Sequence, residues 1–146
     1  FRQNLEETGM GYGLEVDMIH KAHELDMLTC PYVFDPKQAA DMAEAGADIL
    51  VAHMGLTTKG SIGASTAKTL DDCIPLIKDI IAAGRKVNPN IMVICHGGPI
   101  AEPGDAAYII KNIPEIDGFF GASSIERLAS ERGITAQAAA FKAITK

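Results

Sequence analysis

Apolar residues along this chain keep two rhythms that alternate. Leu14, Met18, Ala22 and Leu25 recur every three or four positions, so LEVDMIHKAHELD reads as an amphipathic helix with that stripe as its apolar face. LTCPYVF then reads as a strand, with Pro31 near its start or at an irregularity. Asp35 and Pro36 offer an N-cap and a first-turn proline for a short helix, KQAADMAEAG, that stops at Gly46. ADILVAHM is a nearly continuous apolar run, the pattern of a strand buried on both faces. A long Gly-, Ser- and Thr-rich loop, GLTTKGSIGASTAKT, leads to a helix from about Leu70 to Val87. Asp71 and Asp72 sit in its first turn, and Asn88-Pro89-Asn90 breaks it. IMVICHGGPI is the next strand with its terminal loop, PGDAAYIIKNIP a helix, and IDGFFGASS a further strand end. The tail SIERLASERGITAQAAAFKAITK reads as largely helical, with Ser123 and Glu126 at capping-box spacing and Gly133 dividing it. The opening residues, FRQNLEETGMGYG, read as a loop.

Strands alternating with helices predict parallel pairing through right-handed crossovers, in one α/β domain over residues 1–146. Two architectures fit. An open doubly wound sheet places ligands at a switch point beyond the strand C-termini. Part of a (β/α)8 TIM barrel places them at its C-terminal face. Both put function in the loops that follow strands, which is where His53, His96 and the Gly-Ala-Ser-Ser run fall.

Composition narrows the ligand. With 47% hydrophobic and 22% charged residues, the 146-residue chain reads as compact and globular. A net charge of -6 disfavours a nucleic-acid or anionic-membrane surface, which needs clustered Lys and Arg. It leaves room for a small anion held by local backbone groups. No apolar run approaches the ~20 residues that span a bilayer, and no basic-then-apolar leader is present. Cys30, Cys73 and Cys95 have no metal or CxxC spacing and read as reduced thiols, which points to the cytoplasm. The first residue is Phe1, so the chain reads as a fragment or a processed product.

The candidate chemistry lies at three strand ends. In GASSIERL, Gly121 and Ala122 let backbone approach a ligand, and Ser123 and Ser124 add hydroxyls at a helix start, where free N–H groups favour phosphate or carboxylate. Gly97 and Gly98 of HGGP leave backbone bare beside it. In barrels a phosphate site forms from the loops after the last two strands, and HGGP and GASS hold that order. Each motif alone also fits a tight turn or a capped helix. His96 suits general acid–base work or orientation of an anion, and His53 ends the neighbouring strand in the same position, so the two would share one rim. The loop after His53 has the length of a lid, from which Lys59 could reach over a bound anion. Glu7, with Glu6, could supply a carboxylate for acid–base work or for a divalent cation such as Mg. The bland reading of each is a solvated loop residue.

Several longer strings are more specific. NLEETGMGYGLEVDMI, AGADILVAHMGLTTKGSIGA, CHGGPI and DGFFGASSIERL together resemble the phosphoenolpyruvate hydrolase-like family of TIM barrels, over essentially the whole chain. The resemblance implies a barrel related to indole-glycerol-phosphate synthase and to the phosphoenolpyruvate mutase group. It implies a phosphorylated or phosphonate keto acid as substrate, and site residues at His53, the Gly55–Gly63 loop, His96 to Gly98 and Gly121 to Ser124. Only four strands are visible, so the likeness is to the C-terminal half of such a barrel. Sheet edges exposed in a half-barrel need cover, and a homo-oligomer is the expected solution.

Overall fold

The computed structural model describes residues 2–64 and 68–145. Two short helices open the chain, α1 (Arg2–Glu7) and α2 (Gly13–Glu24). Four strand–helix units follow: β1 (Tyr32–Val33) and α3 (Pro36–Glu44), β2 (Ile49–His53) and α4 (Leu70–Val87), β3 (Met92–His96) and α5 (Pro103–Asn112), β4 (Gly118–Phe119) and α6 (Arg127–Lys142). Every neighbouring pair is parallel and the sheet order is β1-β2-β3-β4. A doubly wound sheet would reverse its order at a switch point. This one does not, and its connectivity is that of four consecutive units of a (β/α)8 barrel.

Local chemistry fixes the helix starts. Asp35 caps α3 by accepting the Gln38 N–H at 2.8 Å, with Pro36 in the first turn. Thr69 and Asp72 form a reciprocal capping box at the start of α4.

Side chains alternate across each strand, so the sheet has two different faces. Val33, Leu50, Ala52, Val93 and Cys95 point to the helices and join Met42, Ile77, Ile80 and Ile109 in one apolar core. Gly84 lets α4 settle onto that face, since a Cβ there would lie 2.6 Å from Leu50 Cδ1. Burial raises the thiols of Cys73 and Cys95, each to about 11, as expected of inert core cysteines. The opposite face carries Tyr32, Ile49, Val51, Met92 and Ile94 and ends in the two histidines.

Three expectations change. Residues 2–7 are helical, not loop. Gly133 does not divide the tail, because α6 runs through it. The Ser123–Glu126 capping box does not form: Glu126 instead donates its N–H to the Ala122 carbonyl, and the helix begins one residue later. The α2 stripe also faces away from this core. Ile19 is the buried residue of that helix, whereas Leu14, Met18 and Leu25 are exposed, the last two beside an apolar groove of about 680 Å³ between α2 and β1.

Candidate functional site

His53 and His96 are direct partners in the β2–β3 register. One step beyond the paired residues, Phe34 follows β1 and Phe120 follows β4. The result is one ring per strand across the C-terminal end of the sheet. Successive ring centroids lie 5.0 Å (Phe34–His53), 4.9 Å (His53–His96) and 5.4 Å (His96–Phe120) apart, close to the spacing of the strands themselves. Tyr32, two residues before Phe34, stacks on His96 at 5.2 Å and meets His53 edge-on at 4.7 Å. His96 is 8% exposed under this cover.

Each imidazole is tethered by its Nδ1. His96 Nδ1 lies 2.7 Å from the carbonyl oxygen of Phe120. A carbonyl only accepts, so this nitrogen carries the proton. His53 Nδ1 accepts the Gly55 N–H at 3.1 Å, so the neutral ring carries its proton on Nε2. Partial burial, and secondarily the neighbouring His96, hold His53 below the ordinary histidine pKa.

The loop after β2 lies over the loop after β3. Met54 donates its N–H to the His96 carbonyl at 2.8 Å, Gly98 to Gly55 at 2.6 Å, and Thr58 to Gly98 at 3.2 Å. Gly97 and Gly98 have φ of +73° and +60°. A Cβ on Gly97 would collide with the Gly55 carbonyl oxygen, and one on Gly98 would lie 2.5 Å from that of Met54. The space beside these glycines is therefore taken by backbone. That is a structural reason for them independent of any ligand.

At the neighbouring strand end the donors are different. The N–H groups of Gly121, Ala122, Ser123 and Ser124, and the hydroxyls of both serines, find no acceptor among the described residues. The Gly97 N–H is in the same condition. These are half-buried backbone donors in a row at the end of a parallel strand, the kind of group that can hydrogen-bond an anion.

The outer part of the lid loop is latched to the helices. Lys59 pairs with Asp105 of α5 at 2.7 Å, so it is turned to the helix layer and not over the histidines. Ser61 donates its N–H and its hydroxyl to Glu131 of α6, each at 3.0 Å. Arg127 ties Glu131 to the Lys59 carbonyl, and Arg132 pairs with Glu102. Residues 65–67 of the expected lid lie outside the described residues. Glu7 ends α1 and is exposed. Among the described residues no group of three His, Cys, Asp or Glu gathers to hold a metal.

The sequence motifs thus found the two histidines and the Gly121–Ser124 run. They missed Phe34, Tyr32 and Phe120, and the latch formed by Asp105, Arg127 and Glu131. Extending the strand register would have found the aromatic rings, since all fall at or next to strand ends. The latch has no local signal, because its links to the lid loop join residues 46 to 70 positions apart.

Comparison with known proteins decides the family. The model of the phosphoenolpyruvate hydrolase-like family matches residues 1–144. The chain belongs to that family. Among curated relatives of this phosphoenolpyruvate hydrolase-like chain, the "ToMV susceptible protein tm-1(GCR26)" of Solanum lycopersicum is 57% identical over 145 residues, 99% of this chain and 19% of the relative. The "ToMV resistance protein Tm-1(GCR237)" of the same species is 56% identical over the same spans. The chain therefore spans about a fifth of the length of the curated relatives it matches. A FabK mutant from Thermotoga maritima overlays on 71% of this chain and 31% of its own, with a TM-score of 0.46 and 24% identity.

Two outcomes follow from this geometry. Gly98→Ala is expected to destabilise the chain by about 1–3 kcal/mol, since it pairs a strained positive φ with a backbone clash. Gly104→Ala, with nothing within 4 Å of its Cβ, is expected to change stability by less than about 1 kcal/mol. Urea unfolding of both variants checks this, and equal stabilities would contradict it. The lowered His53 pKa has a definite sign: the unfolded chain binds the extra proton first. Its contribution to stability is full above the ordinary histidine pKa and is lost as pH falls through the lower folded value. Replacing His53 with Gln should flatten that part of the stability–pH profile, and an unchanged slope would refute the assignment.

Proposed function

We propose that this chain supplies the phosphate-binding strand ends of a phosphoenolpyruvate hydrolase-like site, acting on a small phosphorylated or phosphonate keto acid. The observation that carries the proposal is the run of unsatisfied donors from Gly121 to Ser124, joined by the Gly97 N–H. Ser123 and Ser124 add hydroxyls to that cradle. Gly98 serves it indirectly: its own N–H is held by Gly55, and this fixes the loop that presents Gly97. His96 immediately precedes Gly97, His53 on β2 is the register partner of His96, and the two handle protons or orient the substrate. Lys59 reaches a bound anion only after leaving Asp105, and Glu7 remains the carboxylate to test for a catalytic or cation-binding role. The free thiols support a reduced compartment such as the cytoplasm.

A non-catalytic binding module is the rival reading. It is favoured by the close cover over His96 and by relatives named for virus susceptibility and resistance. The two readings separate in one assay. Phosphate release from phosphoenolpyruvate or phosphonopyruvate by the intact protein is expected to fall about 10²- to 10⁴-fold in His96→Ala, the usual span of acid–base catalysis. Equal rates would remove His96 from the chemistry, and calorimetric binding without any turnover would establish the module.

Association with further copies is part of the same proposal. Strands β1 and β4 are left as sheet edges. Exposed apolar side chains cluster at both ends of the chain, with Met18, Leu25 and Leu28 by α2 and Ile134, Phe141 and Ile144 at α6. Sedimentation equilibrium of the chain should show a dimer or larger species at micromolar concentration. A stable monomer would contradict edge pairing.

A further inference from the structure

We infer that His53 and His96 are preset as one hydrogen-bond donor beside one acceptor, and that the pair recognises an acid group carrying a single proton, as in the monoanion of a phosphate or phosphonate monoester. This rests on the anion site proposed above and specifies the ionic form that it takes.

The assignment comes from what holds each ring. The Gly55 N–H can only donate, so His53 Nδ1 must accept and its Nε2 bears the proton. The Phe120 carbonyl can only accept, so His96 Nδ1 bears a proton, and in the neutral ring its Nε2 offers a lone pair. Neither Nε2 has a partner among the described residues, and no buried side-chain polar atom there lacks one, so both Nε2 atoms reach the surface. The rings stand 4.9 Å apart at an interplanar angle of 66°. In the proposal, one small group sits against both Nε2 atoms.

Ligand chemistry then selects itself. A doubly charged phosphate has acceptor oxygens alone. It satisfies His53 Nε2–H but sets lone pair against lone pair at His96. The monoanion has a P–OH for His96 and a P–O⁻ for His53, and satisfies both. The dianion enters only with uptake of one proton, whether the proton ends on the phosphate or on His96. Little else in the surroundings titrates to compensate. Strand β1 presents the Tyr32 phenol and Phe34, β4 presents Phe120, and the described histidine ion pair is His20 with Glu24 on α2. Burial lowers the His53 pKa and so favours the neutral ring, whose proton the Gly55 N–H contact places on Nε2.

Two measurements on the intact chain test this. Long-range proton–nitrogen NMR on ¹⁵N-histidine-labelled protein near pH 7.5 is expected to show His53 protonated at Nε2 and His96 at Nδ1, and the reverse pattern at either ring overturns the inference. Calorimetry with methyl phosphate near pH 8, in buffers of different ionisation enthalpy, is expected to show one proton taken up per ligand bound. The apparent Kd should rise about tenfold per pH unit above that, as one linked proton requires. His96→Gln places an amide N–H where the lone pair was. It is expected to bind methyl phosphate with no proton uptake. Binding by the parent chain without proton uptake, or undiminished uptake in His96→Gln, refutes the donor–acceptor pair while the anion site stands. Failure of the parent chain to bind methyl phosphate at millimolar concentration refutes both.

Discussion

The carbonyl oxygen of Gly55 lies where a side chain on residue 97 would have to be. Much of the rim follows from that close approach. Because Gly97 and Gly98 lack side chains and accept positive φ, the end of β2 can fold over the end of β3 and be tied there by Gly98 N–H to Gly55 and Thr58 N–H to Gly98. The same crossing brings the Gly55 N–H onto His53 Nδ1, which sets that ring's orientation and tautomer. Two residues chosen for what they lack thus position one that is chosen for its chemistry.

The sheet divides its labour by face. Leu50, Ala52, Val93 and Cys95 commit one side to the helices, and that apolar burial is the main source of stability. The other side is free to carry rings whose polar edges are held by backbone alone. His96 is bound to a carbonyl and not to a carboxylate, which fixes a proton on its Nδ1. Its remaining nitrogen stays available as an acceptor.

The alternation of strand and helix was plain in the sequence because each element carries its own punctuation. Asp35-Pro36 opens α3, the Asp-rich turn opens α4, and Asn88-Pro89 closes it. His53 and His96 were legible as a pair because parallel strands of equal length end in register. The aromatic partners escaped notice for a physical reason: nothing in the letters around Phe34 or Phe120 says which face of a sheet they take until neighbouring strands are aligned. The glycines of HGGP were readable as special backbone, but sequence cannot distinguish space kept for a ligand from space kept for another loop. Here the second use is realised at both Gly97 and Gly98, and apart from the Gly97 N–H the free donors lie one strand further on, at Gly121 to Ser124.

The stripe on α2 carries a lesson of the opposite kind. Leu14, Met18, Ala22 and Leu25 have the spacing of a core-facing helix, and the helix forms over those residues. The apolar face nonetheless looks onto an open groove beside β1. Exposing several large apolar side chains is unfavourable at roughly 25 cal/mol for each Å² left in water, and a globular protein rarely leaves them contiguous. The periodicity therefore marks an apolar face correctly, and these four β/α units leave that face exposed. The sheet edge at β1 has unused pairing positions on the same side. Association of copies through β1, as proposed above, would cover edge and stripe at once, because one parallel strand with its helix presents both pairing groups and apolar side chains.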